Sequence, residues 1–301
     1  MPIVELQQIR KLYDTKVAVE GLSLTIEAGS MFGLLGPNGS GKSSSIRMMI
    51  GITRPDSGAI RLFDRPFERA ALTRIGYLPE ERGLYKKMKV VDQLVFLGQL
   101  HGLDAATALK RAHAWCERLQ IAEAIGKKTE ELSKGMQQKI QFIAALLHEP
   151  ELIIMDEPFS GLDPVNAALL MDTLLDQRKQ GRAILFSTHR MDQVEKFCDE
   201  IALIYKGKLV LEGGMREIKS RYPANRVHMH FTGDATFLNH PAILRFENFG
   251  ERAEIVLADG ADPQMVLQQA VARGTRITRF EVMEPTLEEI FIETVGDNVD
   301  A

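Results

Sequence analysis

The sequence predicts an α/β fold that has a mainly parallel sheet, an N-terminal antiparallel β subdomain and a helical subdomain. A small C-terminal α+β domain follows. Two short apolar runs, 152–155 and 183–186, flank a leucine-rich helical segment. Strand, helix and strand at this spacing are typical of a parallel βαβ unit. The composition agrees, because 45% apolar and 26% charged residues with a mean hydropathy of −0.10 are ordinary for a globular protein.

Length, apolar stretches and cysteine content predict the number of domains and the cellular compartment. A chain of 301 residues predicts about two domains. The longest apolar stretches, such as 140–147 and 152–155, end well before the roughly 18 residues of a membrane span, and the N-terminus lacks an apolar signal core. The two cysteines, Cys116 and Cys198, are far apart. We therefore expect a chain without membrane spans in a reduced, cytosolic setting.

A change in charge predicts the domain boundary. Residues 221–301 contain 7 Arg, no Lys and 13 acidic residues, a net charge of −6, whereas 30 basic and 28 acidic residues give 1–220 a net charge of +2. Together with the Arg221-Tyr222-Pro223 segment, this shift predicts domains of 1–220 and 221–301. Neither part is basic enough to indicate nucleic-acid binding, so none is expected.

Apolar periodicity places the remaining elements. In the first domain we predict strands at 3–9, 22–26 and 31–35, a helix at 42–50, and helical segments at 90–120 and 134–147. In the second we predict strands at 226–231, 244–249, 253–257 and 275–282 and a helix at 263–272. Thr286 and Glu289 form a capping box that opens a last helix.

The strongest chemical motif is a phosphate-binding loop, GPNGSGKSS, between an apolar strand and a helix. Its glycines let backbone N–H groups turn inward, and the helix N-terminus attracts phosphate. Lys42 is expected to reach the β- and γ-phosphates, and the Ser43 hydroxyl to bind Mg²⁺. The predicted nucleotide-binding residues of the loop are Gly36, Asn38, Gly39, Ser40, Gly41, Lys42, Ser43 and Ser44. This motif predicts a P-loop NTPase core; an ordinary Gly/Ser turn is the alternative.

A second motif, LIIMDEP at 152–158, supplies the acidic partners that such a loop needs. Four apolar residues form the strand, so Asp156 lies at its carboxyl end, where it can bind Mg²⁺. Glu157 is then placed as the general base or as the group that positions water. Read alone, an acidic pair after a strand is usually a helix cap or turn, but its combination with Lys42 and Ser43 favours the catalytic interpretation.

With these motifs the chain resembles the nucleotide-binding subunit of an ABC transporter over about residues 3–215. The resemblance implies that Tyr13 stacks on adenine, although an ordinary strand aromatic is the alternative. It also implies that SGLDP at 160–164 is the loop at a dimer seam, and that His189 of the STH tripeptide contacts the γ-phosphate. The implied ligands are ATP and Mg²⁺, and the implied catalytic residues are Glu157, His189 and Lys42.

The family's signature element reads LSKGMQQ at 132–138. The resemblance implies that Ser133 and Gly135 contact ATP held by a second subunit, either an identical copy or a related ATPase. Ser133 is also a suitable N-cap for the following helix, and a plain capped helix is the alternative. The family usually has Gly where this chain has Lys134 and Gln where it has Met136. Ser133 and Gly135, the pair expected to face phosphate, are kept, so we expect the chain to be able to hydrolyse ATP.

A second departure lies in YLPEERGLY at 77–85, where Glu80 replaces the family's glutamine. A carboxylate there can still bind Mg²⁺ or orient water. The loop leads into a predicted helical subdomain at about 82–149, which in ABC transporters contacts the membrane partner. In three features, Glu80, the LSKGMQQK motif and the TLEEIF segment of the tail, the chain resembles the ATPase subunits of the bacterial drug, antibiotic or sodium export subfamily.

These features predict an ATP-hydrolysing motor subunit that drives a separate transmembrane permease, is cytoplasmic, and lies peripherally on the cytoplasmic face of the membrane. One alternative is an ABC-type ATPase that acts on a soluble complex, such as ribosomes or DNA; another is a P-loop kinase or GTPase. The GTPase interpretation is disfavoured because the sequence lacks the Asn-Lys-x-Asp motif that recognises guanine. His228 and His230 have no evident third ligand, so we expect no metal there.

Overall fold

A computed structural model describes residues 1–81, 83–222, 225–258 and 260–296. Its contacts divide the chain into two compact units, Met1–Gly213 and Gly214–Ala301. Arg82, where the helical subdomain was predicted to begin, and Pro223 of the predicted boundary lie outside the described residues. Within the described ranges, none of the helices has both the length and the apolar character of a membrane span.

An antiparallel sheet opens the first unit. Its strands are β1 Pro2–Tyr13, β2 Lys16–Glu27, β4 Ser57–Leu62 and β5 Arg65–Pro66, in the order β2-β1-β4-β5. The predicted strands 3–9 and 22–26 therefore extend further than their apolar residues indicate. Asp14 has a positive φ of 51° in the turn between β1 and β2, which leaves Tyr13 paired with Lys16 at the tip of the hairpin.

The mainly parallel sheet predicted from the sequence is confirmed. Its strands are β3 Met31–Leu35, β6 Ile75–Leu78, β7 Leu152–Asp156, β8 Ala183–Thr188, β9 Glu200–Tyr205 and β10 Lys208–Gly214. They are ordered β10-β9-β3-β8-β7-β6, with parallel pairing from β9 through β6. Every residue of β3, β7 and β8 is buried, as expected of parallel strands covered on both faces.

The first unit contains the helices α1 Lys42–Met49, α2 Val90–Leu100, α3 Ala105–Arg118, α4 Lys134–Leu146, α5 Pro164–Lys179 and α6 Met191–Phe197. Helices α1, α4, α5 and α6 pack against the mainly parallel sheet, while α2 and α3 pack on each other and on α4. The segment 90–120, which is helical in pattern throughout, is interrupted. Gly102 adopts a φ of 91°, and Asp104 caps α3 by accepting a hydrogen bond from Thr107 N at 2.9 Å, so the chain turns between two separate helices.

The second unit is the predicted α+β domain. Its elements are α7 Met215–Ser220, β11 Arg226–Thr232, β12 Ile243–Asn248, β13 Arg252–Leu257, α8 Pro263–Ala272, β14 Arg276–Met283 and α9 Leu287–Gly296. The strands form an antiparallel sheet ordered β12-β13-β11-β14. Val227, Met229 and Phe231 are buried on one face, while His228 and His230 lie between them on the other, half-buried.

Two details of this unit bear on the predictions. The capping box is confirmed, because Thr286 N donates to Glu289 Oε2 at 3.0 Å and Glu289 N donates to Thr286 Oγ1 at 3.3 Å. The contacts group α7 with the second unit. They therefore divide the chain before this helix, whereas the charge shift that predicted a boundary at 220 begins after it.

Removing core volume from the parallel sheet should destabilise the first unit. Ile154 is fully buried in β7, so an Ile154→Ala substitution should lower the free energy of unfolding by about 2–5 kcal/mol. Val165, which is 79% exposed, provides the control, because Val165→Ala should change stability by no more than about 0.5 kcal/mol. Urea denaturation followed by circular dichroism measures both, and equal losses would contradict this packing.

Candidate functional site

The predicted catalytic segments meet at one edge of the parallel sheet. Strands β3 and β8 pair so that Leu35 lies opposite Thr188, and β7 and β8 pair so that Asp156 lies opposite Ser187. All three strands run in the same direction. The loop after β3 and the carboxylates at the end of β7 are therefore on the same side of the sheet, where open α/β sheets bind ligands.

Close backbone contacts determine the shape of the loop between β3 and α1. Gly36 has a φ of 147°, and a Cβ atom there would lie 2.1 Å from the carbonyl oxygen of Ile204. Gly41 has a φ of 115°, and its Cβ would lie 2.4 Å from the carbonyl oxygen of Ala18. Only glycine fits these two positions. The glycines at 36 and 41 of the motif are therefore required for steric reasons.

The side chain of Lys42 is hydrogen-bonded to the start of its own loop. Its Nζ donates hydrogen bonds to the carbonyl oxygens of Gly36 at 2.7 Å and Pro37 at 3.2 Å. Burial lowers the pKa of Lys42 from its usual value, while the nearby carboxylates, above all that of Glu157, oppose this shift. The loop thus holds a buried ammonium group whose hydrogen-bond partners in the protein are neutral carbonyls.

The two carboxylates after β7 differ in their partners. Ser187 Oγ donates a short hydrogen bond to Asp156 Oδ1. Glu157, with a positive φ of 49°, accepts hydrogen bonds from Thr188 Oγ1 at 3.2 Å and from His189 N at 3.0 Å. His189 Nδ1 also lies 2.8 Å from Glu157 Oε1. Since an ionised carboxylate only accepts, Nδ1 bears the proton in this contact.

Lys42, Asp156 and Glu157 line a pocket of about 440 Å³. His189 does not line it and is joined to it through its contact with Glu157. The lining of the pocket includes ten of the predicted site residues, namely Tyr13, Asn38, Gly39, Gly41, Lys42, Ser43, Ser44, Glu80, Asp156 and Glu157. Tyr13 is 40% exposed, so its ring is accessible to a ligand. Gly36 and Ser40 belong to the loop itself, and the Ser40 hydroxyl, which is buried, has no hydrogen-bond partner among the described residues.

The donor set of the pocket suits a hard divalent cation. Ser43, Glu80 and Asp156 place a hydroxyl and two carboxylates around one space, and Mg²⁺ prefers oxygen ligands of this kind while retaining several waters. Together with the buried ammonium of Lys42, these oxygens fit a magnesium-bound polyphosphate chemically.

The structure does not bring Ser133 and Gly135 to this pocket. Ser133 is the N-cap of α4, as predicted, and its Oγ accepts a hydrogen bond from Met136 N at 3.3 Å. Neither Ser133 nor Gly135 lines the pocket of the phosphate loop in its own chain. The neighbouring Lys134 instead lines a second cavity of about 580 Å³, whose wall also includes Glu80 and Glu157.

Two hydroxyl contacts were missed by the sequence reasoning. Ser187 and Thr188 were noted only as neighbours of His189, yet each hydroxyl donates to one of the two carboxylates. The sequence contained a signal for these contacts. Ser187 and Thr188 are consecutive polar residues at the carboxyl end of β8, and β8 is adjacent to β7, so their side chains must lie beside Asp156 and Glu157. The missed lining residues Lys16 and Ala18 have no local motif.

A glycine-rich loop with a buried lysine, followed by carboxylates on a neighbouring parallel strand, defines a P-loop nucleoside triphosphatase. Residues 19–160 match the family described as "ABC transporter", and residues 213–295 match "ATP-binding protein DrrA1-3-like, C-terminal domain". The chain belongs to the ATP-binding proteins of ABC transporters. It is therefore an ATP-binding protein of the ATPase family that drives transport.

Several relatives are similar along their full length. The "Uncharacterized ABC transporter ATP-binding protein YhaQ" of Bacillus subtilis is 44% identical over 98% of this chain and 99% of its own. The "Linearmycin resistance ATP-binding protein LnrL" of Bacillus subtilis is 30% identical, covering 98% of each chain. A "Nod factor export ATP-binding protein I" of Burkholderia thailandensis is 32% identical, covering 97% of each.

Solved structures agree with this assignment. The "Structure of ATP binding subunit of ABC transporter" superposes with a TM-score of 0.68 at 28% identity, covering 73% of this chain and 92% of the other. A nucleotide-free ATP-binding cassette from an ABC transporter gives a TM-score of 0.64 at 25% identity over 73% of this chain and 94% of the other.

The steric requirement at Gly36 can be tested directly. A Gly36→Ala substitution places a methyl group against the Ile204 carbonyl and must displace the loop, so affinity for MgATP should fall by at least about 100-fold, or about 2.7 kcal/mol. Gly39 is the matched control. It also has a positive φ, of 77°, but a Cβ there has no neighbour within 4 Å.

Isothermal titration with MgATP measures both variants. Gly39→Ala should show only the smaller cost of backbone strain, of about 1–2 kcal/mol. Equal affinity losses for the two variants would contradict the steric account of the loop.

Proposed function

We propose that two copies of this chain, or one copy and a related ATPase subunit, bind two MgATP molecules between them. The observation behind this proposal is the separation of two predicted ATP contacts: the phosphate loop lines a pocket from which Ser133 and Gly135 of the same chain are absent. A C2 dimer arranged head to tail would let each α4 N-terminus complete the partner's site.

In each site the phosphate loop supplies the main binding contacts. The ammonium of Lys42, now bonded to two carbonyls, exchanges part of this contact for the β- and γ-phosphates. Backbone N–H groups of residues 38–43 and the N-terminus of α1 surround the phosphates. Tyr13, at the tip of the first hairpin, stacks on the adenine ring.

Three oxygen donors are proposed for the metal. The Ser43 hydroxyl, Asp156 and Glu80 hold Mg²⁺, which neutralises charge on the β- and γ-phosphates when bound. Ser187 fixes the Asp156 carboxylate by its hydrogen bond, so this ligand is oriented before the metal arrives.

Glu157 and His189 are proposed to act on the hydrolytic water. Glu157 lines the pocket and orients or deprotonates the water that attacks the γ-phosphorus. His189 is hydrogen-bonded to Glu157 through Nδ1, and its Nε2–H would donate to a γ-phosphate oxygen when both ring nitrogens carry a proton. Its side chain is 50% exposed, and closure of the dimer would exclude water from it.

A second, apolar groove is suited to a permease. It has a volume of about 340 Å³ and is lined mainly by apolar residues, including Ile52, Leu84 and Leu97. Pro79 and Gln141 line both this groove and the cavity that contains Glu80 and Glu157. Gln141 Nε2 donates to the carbonyl oxygen of Glu81 at 3.3 Å. Movement at the nucleotide can therefore reach a helix of the permease seated in the groove.

Export is the proposed direction of transport. The relatives named for linearmycin resistance and Nod factor export, together with the DrrA-like tail, support an exporter of the drug, antibiotic or sodium type. We place the chain in the cytoplasm, held on the cytoplasmic face of the membrane by the permease.

Replacing the proposed base should separate ATP binding from hydrolysis. Glu157→Gln keeps the shape of the side chain but removes its charge, so hydrolysis should fall by about 10²–10⁴-fold while ATP-dependent dimers accumulate. Size-exclusion chromatography with saturating MgATP measures the dimer, and phosphate release measures hydrolysis.

Glu68→Gln provides a charge-matched control, because Glu68 is exposed and lies outside the pocket. It should hydrolyse ATP at the unmodified rate and show no trapped dimer. A Glu157→Gln variant that remains monomeric at saturating MgATP would refute the two-subunit site.

A further inference from the structure

Five exposed lysines on the helical part of the first unit form what we call the lysine cluster: Lys86, Lys87, Lys89, Lys127 and Lys128. They are five of the sixteen lysines of the chain, and they come from two segments that are about forty residues apart in sequence. None of them lines the pocket of the phosphate loop or the two neighbouring cavities.

Backbone contacts hold the two segments together. Lys89 and Lys128 form an isolated antiparallel bridge. Around it, Val90 N donates to Lys127 O at 2.9 Å, Thr129 N to Met88 O at 3.0 Å, and Glu130 N to Lys86 O at 3.0 Å. Val90 and Thr129 are buried beneath the bridge. The five ammonium groups therefore extend from an ordered platform and not from two independent loops.

The platform concentrates positive charge. Within the described ranges, the ion pairs of lysine are those of Lys11, Lys179 and Lys219, so the cluster has none. Lys89 and Lys128 lie opposite each other in the bridge, an arrangement of like charges that destabilises a free protein. Two acidic residues, Glu130 and Glu131, follow Lys128 after Thr129, and Glu131 Oε2 accepts a hydrogen bond from Lys128 N at 2.8 Å. The five lysines outnumber these two acids, which leaves an excess of cations. Such an excess favours an anionic surface.

Exposed aromatic and apolar side chains lie beside the lysines. Tyr85, which precedes Lys86, is 54% exposed, and Phe96 is 40% exposed. Their rings pack edge to face with centroids 6.2 Å apart. Leu100, one turn further along α2, is 63% exposed. Amphipathic aromatic rings next to lysines are typical of protein surfaces at the level of lipid headgroups.

The cluster is continuous with the apolar groove. Leu84 and Leu97 line the groove, and their chain neighbours Tyr85 and Phe96 form the exposed aromatic pair. A permease helix in the groove would therefore bring this same side of the subunit toward the bilayer. The location of the cluster agrees with the proposed function but does not require it.

We propose that the lysine cluster binds anionic phospholipid headgroups, with Tyr85 and Phe96 at the membrane interface. A lipid surface fits better than an acidic protein segment, because the charges are spread over two chain segments and stand next to exposed rings. Each lysine near an anionic leaflet typically strengthens binding about fivefold, so three of the five lysines in contact at once would contribute a factor of about 100.

Vesicle sedimentation of the full chain tests this site. Binding should be strong to vesicles that contain phosphatidylcholine and about one-third phosphatidylglycerol, weak to phosphatidylcholine alone, and should fall sharply between about 0.1 M and about 1 M salt. Changing all five cluster lysines to Gln should lower the partition coefficient by about 100-fold. The control changes five other exposed lysines, Lys110, Lys179, Lys196, Lys206 and Lys208, to Gln and should retain most of the binding.

Three results would overturn the proposal: equal binding to neutral vesicles, equal losses for the two five-lysine variants, or binding of soluble polyglutamate without binding of anionic vesicles. The last result would indicate an acidic protein partner. Phosphate release from MgATP is measured on the same samples, and the cluster variant should hydrolyse ATP normally. Failure of the lipid site is thus distinguishable from failure of the ATPase.

Discussion

The parallel pairing of β3, β8 and β7 is the constraint on which the site depends. It brings three segments that are remote in sequence to one sheet edge: the phosphate loop after β3, Asp156 and Glu157 after β7, and Ser187 to His189 at the end of β8. A shift of one residue in either pairing would turn these side chains to the opposite faces of the sheet. The complete burial of all three strands makes such a shift costly.

Electrostatics at this edge are arranged before any ligand binds. Lys42 is desolvated, which disfavours its charged form, while Glu157, Asp156 and Glu80 favour it. The carboxylates are themselves held by neutral hydroxyl donors of Ser187 and Thr188. The pocket therefore combines a buried ammonium group with carboxylate oxygens, and each of these groups has its own hydrogen-bond partners in the protein.

The sequence predicts those parts of the molecule whose causes are local. The phosphate loop is predictable because glycine is required at Gly36 and Gly41, and Asp156 because it follows four apolar residues. The hydroxyl contacts of Ser187 and Thr188 depend on which strands pair, so no single segment reveals them. The break at Gly102 was missed because apolar periodicity continues across it. Strands β4, β5, β6, β9 and β10 were also not predicted. For β9 a signal existed, because Glu200–Tyr205 is largely apolar and resembles the buried runs of β7 and β8.

The central claim is that each ATP site combines the phosphate loop of one subunit with Ser133 and Gly135 of the other. Mixing two inactive variants, Lys42→Ala and Ser133→Arg, tests it most directly through phosphate release. Random pairing makes half of the dimers mixed, each with one intact site, so an equal mixture should recover about a quarter of the unmodified activity. A mixture that stays as inactive as its two components would contradict the claim.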